Sequence, residues 1–163
     1  MKRLYITSIM ILGIVSIQGQ KVIKGSFGVL ANESSVSVKI DYTDSKIDKV
    51  PFDIFLEGED NWDEGYREIL FKFVKAANQN SSGLKYLTKQ TENYQLVFKA
   101  VTVDDDGNTT GSLCLMDKDN QVVAEAGKFK ANGGRFGSQM NLMGDAAERL
   151  GKKVAKFIEK AIK

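Results

Sequence analysis

The stretch YQLVFKAVTVDDDGNTTGSLCLMDKDNQVVAEAGKFK, Tyr94–Lys130, decides the fold. It holds three apolar runs, Tyr94–Val103, Thr110–Met116 and Gln121–Lys130. Between them lie two clusters of turn formers, Asp104-Asp105-Asp106-Gly107-Asn108 and Asp117-Lys118-Asp119-Asn120. Asp, Asn and Gly tolerate the left-handed backbone of tight hairpins, so the runs read as an antiparallel meander. In the first run Leu96, Val97, Phe98, Val101 and Val103 put apolar groups on both faces, which assigns that strand to the middle of the sheet.

Outward from this meander the pattern changes period. Upstream, Leu84–Thr88 reads as a further strand, and before it a helix is plain. Trp62, Tyr66, Ile69, Leu70, Phe73, Val74 and Ala77 recur at steps of three and four, with Phe73 in the core. Asn61 and Glu64 have capping-box spacing, and Asp63 with Glu64 complements the dipole of the first turn. Asn80-Ser81-Ser82-Gly83 ends the helix, Gly83 suiting a left-handed cap. Earlier still, Val36, Val38, Ile40 and Tyr42 alternate with Ser37, Lys39 and Asp41 as in a half-buried strand. Ser26–Leu30 is expected to pair with it as a hairpin across Ala31-Asn32-Glu33. Residues 43–60 include Pro51 and the apolar Phe52, Ile54, Phe55 and Leu56, which belong against the core, but no period assigns their structure.

Downstream, Asn132-Gly133-Gly134-Arg135-Phe136-Gly137-Ser138 leads into a final helix. Met143, Ala146, Ala147, Leu150, Val154, Phe157, Ile158 and Ala161 form its apolar face, and Leu150, Val154, Phe157 and Ile158 are expected to dock on the sheet. The whole reads as an α/β fold, an α+β sandwich: a mainly antiparallel sheet of about five strands with two amphipathic helices packed on it.

The first residues set the compartment. Lys2 and Arg3 precede an uncharged run, Leu4–Ile17, and a small-residue cut site at Gly19. That is the layout of a secretory signal peptide over residues 1–19, leaving one domain, 20–163. The run is shorter than the ~20 residues a bilayer span needs, so no stable membrane insertion is expected after cleavage. The expected location is periplasmic or extracellular. No cysteine stands near the cut to take a lipid. Removing Lys2 and Arg3 turns a balance of 23 basic against 21 acidic residues neutral, which speaks against nucleic-acid binding. The single cysteine, Cys114, forms no internal disulfide and sits between Leu113 and Leu115 as a small buried hydrophobe.

Chemistry-bearing motifs are sparse. The chain has no histidine, which removes the commonest general base, the triads built on it and most zinc sites. Acidic residues cluster at Glu57–Glu64 and Asp104–Asp106, where helix capping and turn formation account for them. Asp104–Asn108 fails as a calcium loop, because its twelfth position is Leu115 and not a glutamate. Gly133, Gly134 and Arg135 form a candidate anion site before a helix, without the P-loop lysine. A turned connection is the plainer reading. Arg149, Lys152, Lys153, Lys156 and Lys160 form a candidate partner surface, weighed against a simple solvated face helped by the helix dipole. No cofactor and no metal site is indicated.

Taken together, several segments carry a resemblance. They are Val36–Asp44 before a Trp-led helix, Val101-Thr102-Val103-Asp104, the Asp117–Asn120 hairpin, Gly133–Ser138 and Asn141-Leu142-Met143-Gly144-Asp145 opening a basic helix. In order and glycine placement the chain resembles uncharacterised exported proteins of Gram-negative bacteria. More distantly it is similar to small periplasmic α/β domains of curli-secretion channel proteins and of lipoprotein activators of cell-wall synthases. The resemblance implies an envelope-associated assembly or interaction role, with an envelope protein or a second copy as partner, and no enzyme activity. The missing lipidation cysteine departs from the lipoproteins, and no functional residue is carried over. The alternatives are a small-ligand or glycan-binding protein using Trp62 or Tyr66, and a carboxylate-based hydrolase. Amino-terminal sequencing of protein recovered from its host should begin at Gln20; a retained Met1 would overturn the export reading.

Overall fold

The computed structural model describes residues 20–89 and 93–163, so the leader read over residues 1–19 lies outside the described residues. The strands are β1 (Lys21–Gly25), β2 (Ser35–Asp41), β3 (Lys46–Ile47), β4 (Val50–Pro51), β5 (Lys85–Leu87), β6 (Tyr94–Val103), β7 (Thr109–Asp117) and β8 (Val122–Ala131). The α-helices are α1 (Phe52–Glu57), α2 (Trp62–Gln79) and α3 (Gln139–Ala161). Among the described residues the strands form one mixed eight-stranded sheet in the order β1-β8-β7-β6-β2-β5, with β3 and β4 added beside the far end of β6.

The meander is as the turn chemistry requires. Asp104 Oδ1 accepts the N–H groups of Asp106 (3.1 Å) and Asn108 (2.8 Å), and Gly107 takes φ +74°. Asp117 Oδ1 does the same for Asp119 (2.9 Å) and Gln121 (2.8 Å), with Asn120 at φ +58°. Strands β6, β7 and β8 run antiparallel, and β6 lies inside the sheet. Leu96 and Phe98 oppose Leu115 and Leu113 within the main core. Val97 opposes Cys114 on the other face, outside the main core cluster yet buried.

Four expectations need correction. The sheet has eight strands where about five were expected, and it is mixed, because β2 pairs parallel with both β6 and β5. A helical crossover from β2 through α2 to β5 makes that direction possible. Ser26–Leu30 is not the hairpin partner of β2. Phe27–Asn32 is a 3-10 turn, capped by Ser26 Oγ accepting from Gly28 N–H at 3.0 Å. It buries Phe27 and Leu30, three residues apart, as a three-residue period dictates. The true first strand, β1, pairs with β8 at the opposite edge. Asn61 begins α2 without a side-chain cap bond, so the capping box is not formed. Gly83 is not in a left-handed cap; the helix ends at Asn80, whose Nδ2 donates to the Ala76 carbonyl at 2.8 Å.

Residues 43–60, which no period assigned, carry the β3–β4 hairpin and α1. Asp48 (φ +47°) and Lys49 (φ +68°) give the two left-handed residues of a type I′ turn. Phe52 and Phe55 of α1 are half-buried against the core, whereas Ile54 is exposed. Their rings join Tyr42, Trp62 and Tyr66 in an aromatic cluster, with Phe52 4.9 Å and Tyr42 5.6 Å from Trp62.

Both long helices join the sheet's main core, α2 against β2 and β5, α3 against β7 and β8. They run parallel. Met140 lies at Gly65, Asp145 meets Lys72 at 3.2 Å, Gly151 meets the Phe73 carbonyl, and Glu159 accepts from Ser82, rising together along both chains. Phe73, Leu150, Val154 and Ile158 are fully buried in the seam and beneath it, and Phe157 is half-buried. A Cβ at Gly151 would collide with the Phe73 carbonyl oxygen, a backbone atom that cannot step aside. One at Gly144 would meet only the Lys72 side chain, Cδ and Nζ at 3.1 Å. Gly151→Ala should therefore cost about 1–3 kcal/mol through overpacking despite alanine's helix propensity. Gly144→Ala should be neutral or stabilising by up to about 1 kcal/mol. Urea denaturation of the two variants checks the opposite signs.

Candidate functional site

The basic face of α3 divides into anchors and free charges. Ser138 opens the helix by accepting Asn141 N–H on its Oγ. Arg149 then reaches back and donates to the carbonyls of Asn132 and Gly133. Lys153 donates to the Lys130 carbonyl at the end of β8. Lys152, Lys156 and Lys160 are exposed, and none has a carboxylate partner among the described residues. The five residues do lie on one helix side, but two of them hold the glycine-rich loop and the sheet.

Residues Gly133, Gly134 and Arg135 sit in that loop, and the first two are packing elements. Gly133 N–H is held by Asn108 Oδ1 at 2.9 Å, and a Cβ there would strike the Asp106 carbonyl. Gly134 presses on the Asp145 carboxylate and Leu142. The Gly133 N–H is thus engaged within the fold, and Arg135 is exposed. Next to it Phe136 is 89% exposed, followed by Gly137 at φ +120°. A fully exposed phenylalanine was not singled out from the sequence, because nothing in Arg-Phe-Gly-Ser distinguishes an outward ring from an inward one.

The second feature missed from the sequence is a groove. Beside α3, Val22, Phe157 and Ala161 make an apolar floor, with Gln20 at one end and Lys153, Lys156 and Lys160 on the rim. Its volume is about 450 Å³, and among the described residues no acid lines it. Strand β1 supplies one wall and is exposed along its whole length. Only the lysine spacing at 153, 156 and 160 around Phe157 signalled it; the opposite wall comes from the other end of the chain.

The remaining candidates have structural employment. Tyr66 Oη donates to the Ile40 carbonyl (2.9 Å) and accepts Ile40 N–H (3.3 Å), closing the outer edge of β2 beyond β5. Burial raises its pKa. Trp62 is half-buried in the aromatic cluster, and a shallow groove of about 360 Å³ passes it along Asp60–Glu64. Asp104 organises its turn, and burial pushes the Cys114 thiol up, away from the reactive thiolate. Among the described residues no group of three or more acidic or cysteine side chains is placed to hold a metal ion, and no helix is long and apolar enough to cross a membrane.

No family model matches the chain, and no curated protein matches it. Among solved structures it is similar to a PelC point-variant dodecamer from Paraburkholderia phytofirmans, at 11% identity and TM-score 0.38, over 83% of this chain and 95% of that one. It is similar to an uncharacterised protein at 10% identity and TM-score 0.39, over 78% and 88% of the two chains. A Xanthomonas campestris protein of the DUF330 family model follows at 10% identity and TM-score 0.34, over 76% and 83%. Likenesses this distant carry no argument about activity or assembly.

The division of the basic face has a direct consequence. Arg149→Ala should cost about 1 kcal/mol and speed hydrogen exchange at Gly133 and Gly134, because two backbone carbonyls lose a charged donor. Lys152→Ala should stay within about 0.5 kcal/mol with unchanged exchange. Equal behaviour of the two variants would remove the anchoring role.

Proposed function

We propose that this chain is a non-enzymatic binding or assembly domain of the cell envelope, and that it engages its partner at the β1–α3 groove. The groove carries the reading: an apolar floor beneath three lysines, with no acid among the described residues that line it. Apolar contact there supplies affinity, and the lysine rim selects for negative charge and speeds encounter. Export rests on the Lys2–Gly19 layout described above. The lack of histidine, and the use of Asp104 and Asp117 to build turns, support a role without catalysis.

The glycan alternative finds less support, since Trp62 and Tyr66 direct much of their ring surface at each other and at Tyr42 and Phe52.

Lys156→Glu with Lys160→Glu tests the reading. Both side chains are exposed, so the unfolding midpoint should stay put. Capture of envelope components by the immobilised protein should fall at least tenfold in low salt, and should already be weak for the unaltered protein in high salt. Full capture by the folded double variant would overturn it.

A further inference from the structure

Two unlike patches lie at opposite ends of α3. At its start, the loop Asn132–Ser138 holds Phe136 out at 89% exposure on a braced base. Asn108 grips Gly133, Arg149 grips the carbonyls of Asn132 and Gly133, and Ser138 caps the helix. These contacts fix both ends of the loop that carries the ring. Beside that base runs the exposed acidic turn Asp104–Asp106, whose Asp106 carbonyl packs on Gly133. Towards its end, α3 lines the groove of about 450 Å³ with its apolar floor and lysine rim. At 1.5 Å per residue, Ser138 and Phe157 are roughly 30 Å apart, so the two patches of one molecule cannot meet.

The exposed turn Asp104–Asp106 packs at the base of the Phe136 loop and outweighs the neighbouring Arg135 in charge, whereas the apolar slot is flanked by lysines, so the two patches are opposite in charge. We infer that the groove of one copy takes Phe136 of a second copy, with the Asp104–Asp106 turn set against Lys156 and Lys160. The inference rests on the binding role proposed above and names its partner as another copy of this chain. Such a contact is heterologous: each copy offers one knob and one slot, so association continues into rings or open chains and does not stop at a symmetric pair. A buried phenylalanine contributes about 150–250 Å². With one loop and one turn around it the interface falls at the small, transient end of the known range. Association should therefore appear at tens to hundreds of micromolar.

Sedimentation velocity of the purified protein reads this out. The weight-average sedimentation coefficient should climb with concentration and fall back in high salt. Phe136→Ala, which removes an exposed ring and leaves the core untouched, should weaken association at least tenfold, and so should Lys156→Glu with Lys160→Glu. The mixture decides between geometries. Phe136→Ala keeps its slot and the lysine variant keeps its knob, so together they should form a one-to-one pair and nothing larger. A wild-type protein that stays monomeric throughout this range, association indifferent to Phe136, or a mixture that yields no pair would each overturn the inference. Saturable uptake of an anionic amphiphile such as dodecanoate by a protein that remains monomeric would give the groove to a lipid and overturn it too. If self-association fails while lysine-dependent capture of envelope components persists, the binding role stands and only the identity of the partner falls.

Discussion

The contact between the Gly151 backbone and the Phe73 carbonyl sets the distance between α2 and α3, and the rest of the architecture follows from it. Packed helices normally sit about 8–10 Å apart, with the short end reserved for seams of small residues. Here Gly65, Gly144, Ala147, Gly151 and Ala77 line or adjoin the seam, so the two helices form one thin layer. That layer covers the face of Val36, Val38, Ile40, Leu96, Phe98, Leu113 and Leu115. Because α2 fits there, β2 and β5 can join the meander in parallel and extend the sheet beyond β6. Because α3 is held along its length, its two ends become fixed platforms, one for the Phe136 loop and one for the groove wall.

Local chemistry made much of this legible. Three strands with Asp-rich turns and two helices with three-to-four spacing are patterns contained within short windows, and each is found where those patterns put it. What escaped was set by distance along the chain. The parallel pairing of β2 with β6 joins Ser37 to Gln95, and nothing in either segment states a direction. In β1, Lys21–Gly25 has five exposed residues and a register shift between Val22 and Lys24, so no alternation survives to mark a strand. Phe27 and Leu30 read equally well as a strand fragment or a single tight turn, and burial favoured the turn.

The candidate site shows the same division. The basic stripe on α3 is visible in the sequence, but a lysine or arginine stripe does not say which members bind the fold. Arg149 and Lys153 stay exposed yet donate to the carbonyls of Asn132, Gly133 and Lys130, which lie within their reach. Carbonyls at strand ends and loops need donors, and a long cationic side chain is the available one. Among the described residues Lys156 and Lys160 have no hydrogen-bond or carboxylate partner and stand beside Phe157 and Ala161. The groove depends on Val22 meeting Phe157, residues from opposite ends of the chain, and the Gly133–Gly134 pair serves close packing against Asp106 and Asp145.

A site at each end of one rigid helix is the claim on which the functional reading turns. Residue-resolved proton–nitrogen NMR spectra, recorded from dilute to concentrated protein, test it most directly. Two separated sets of amides should shift with a single concentration dependence: residues 104–108 with 132–138, and residues 20–24 with 153–161. The exposed side of α2 around Phe71 should stay still, although its ring is 59% exposed. Shifts centred on Phe71, movement of only one of the two sets, or spectra unchanged at every concentration would contradict it.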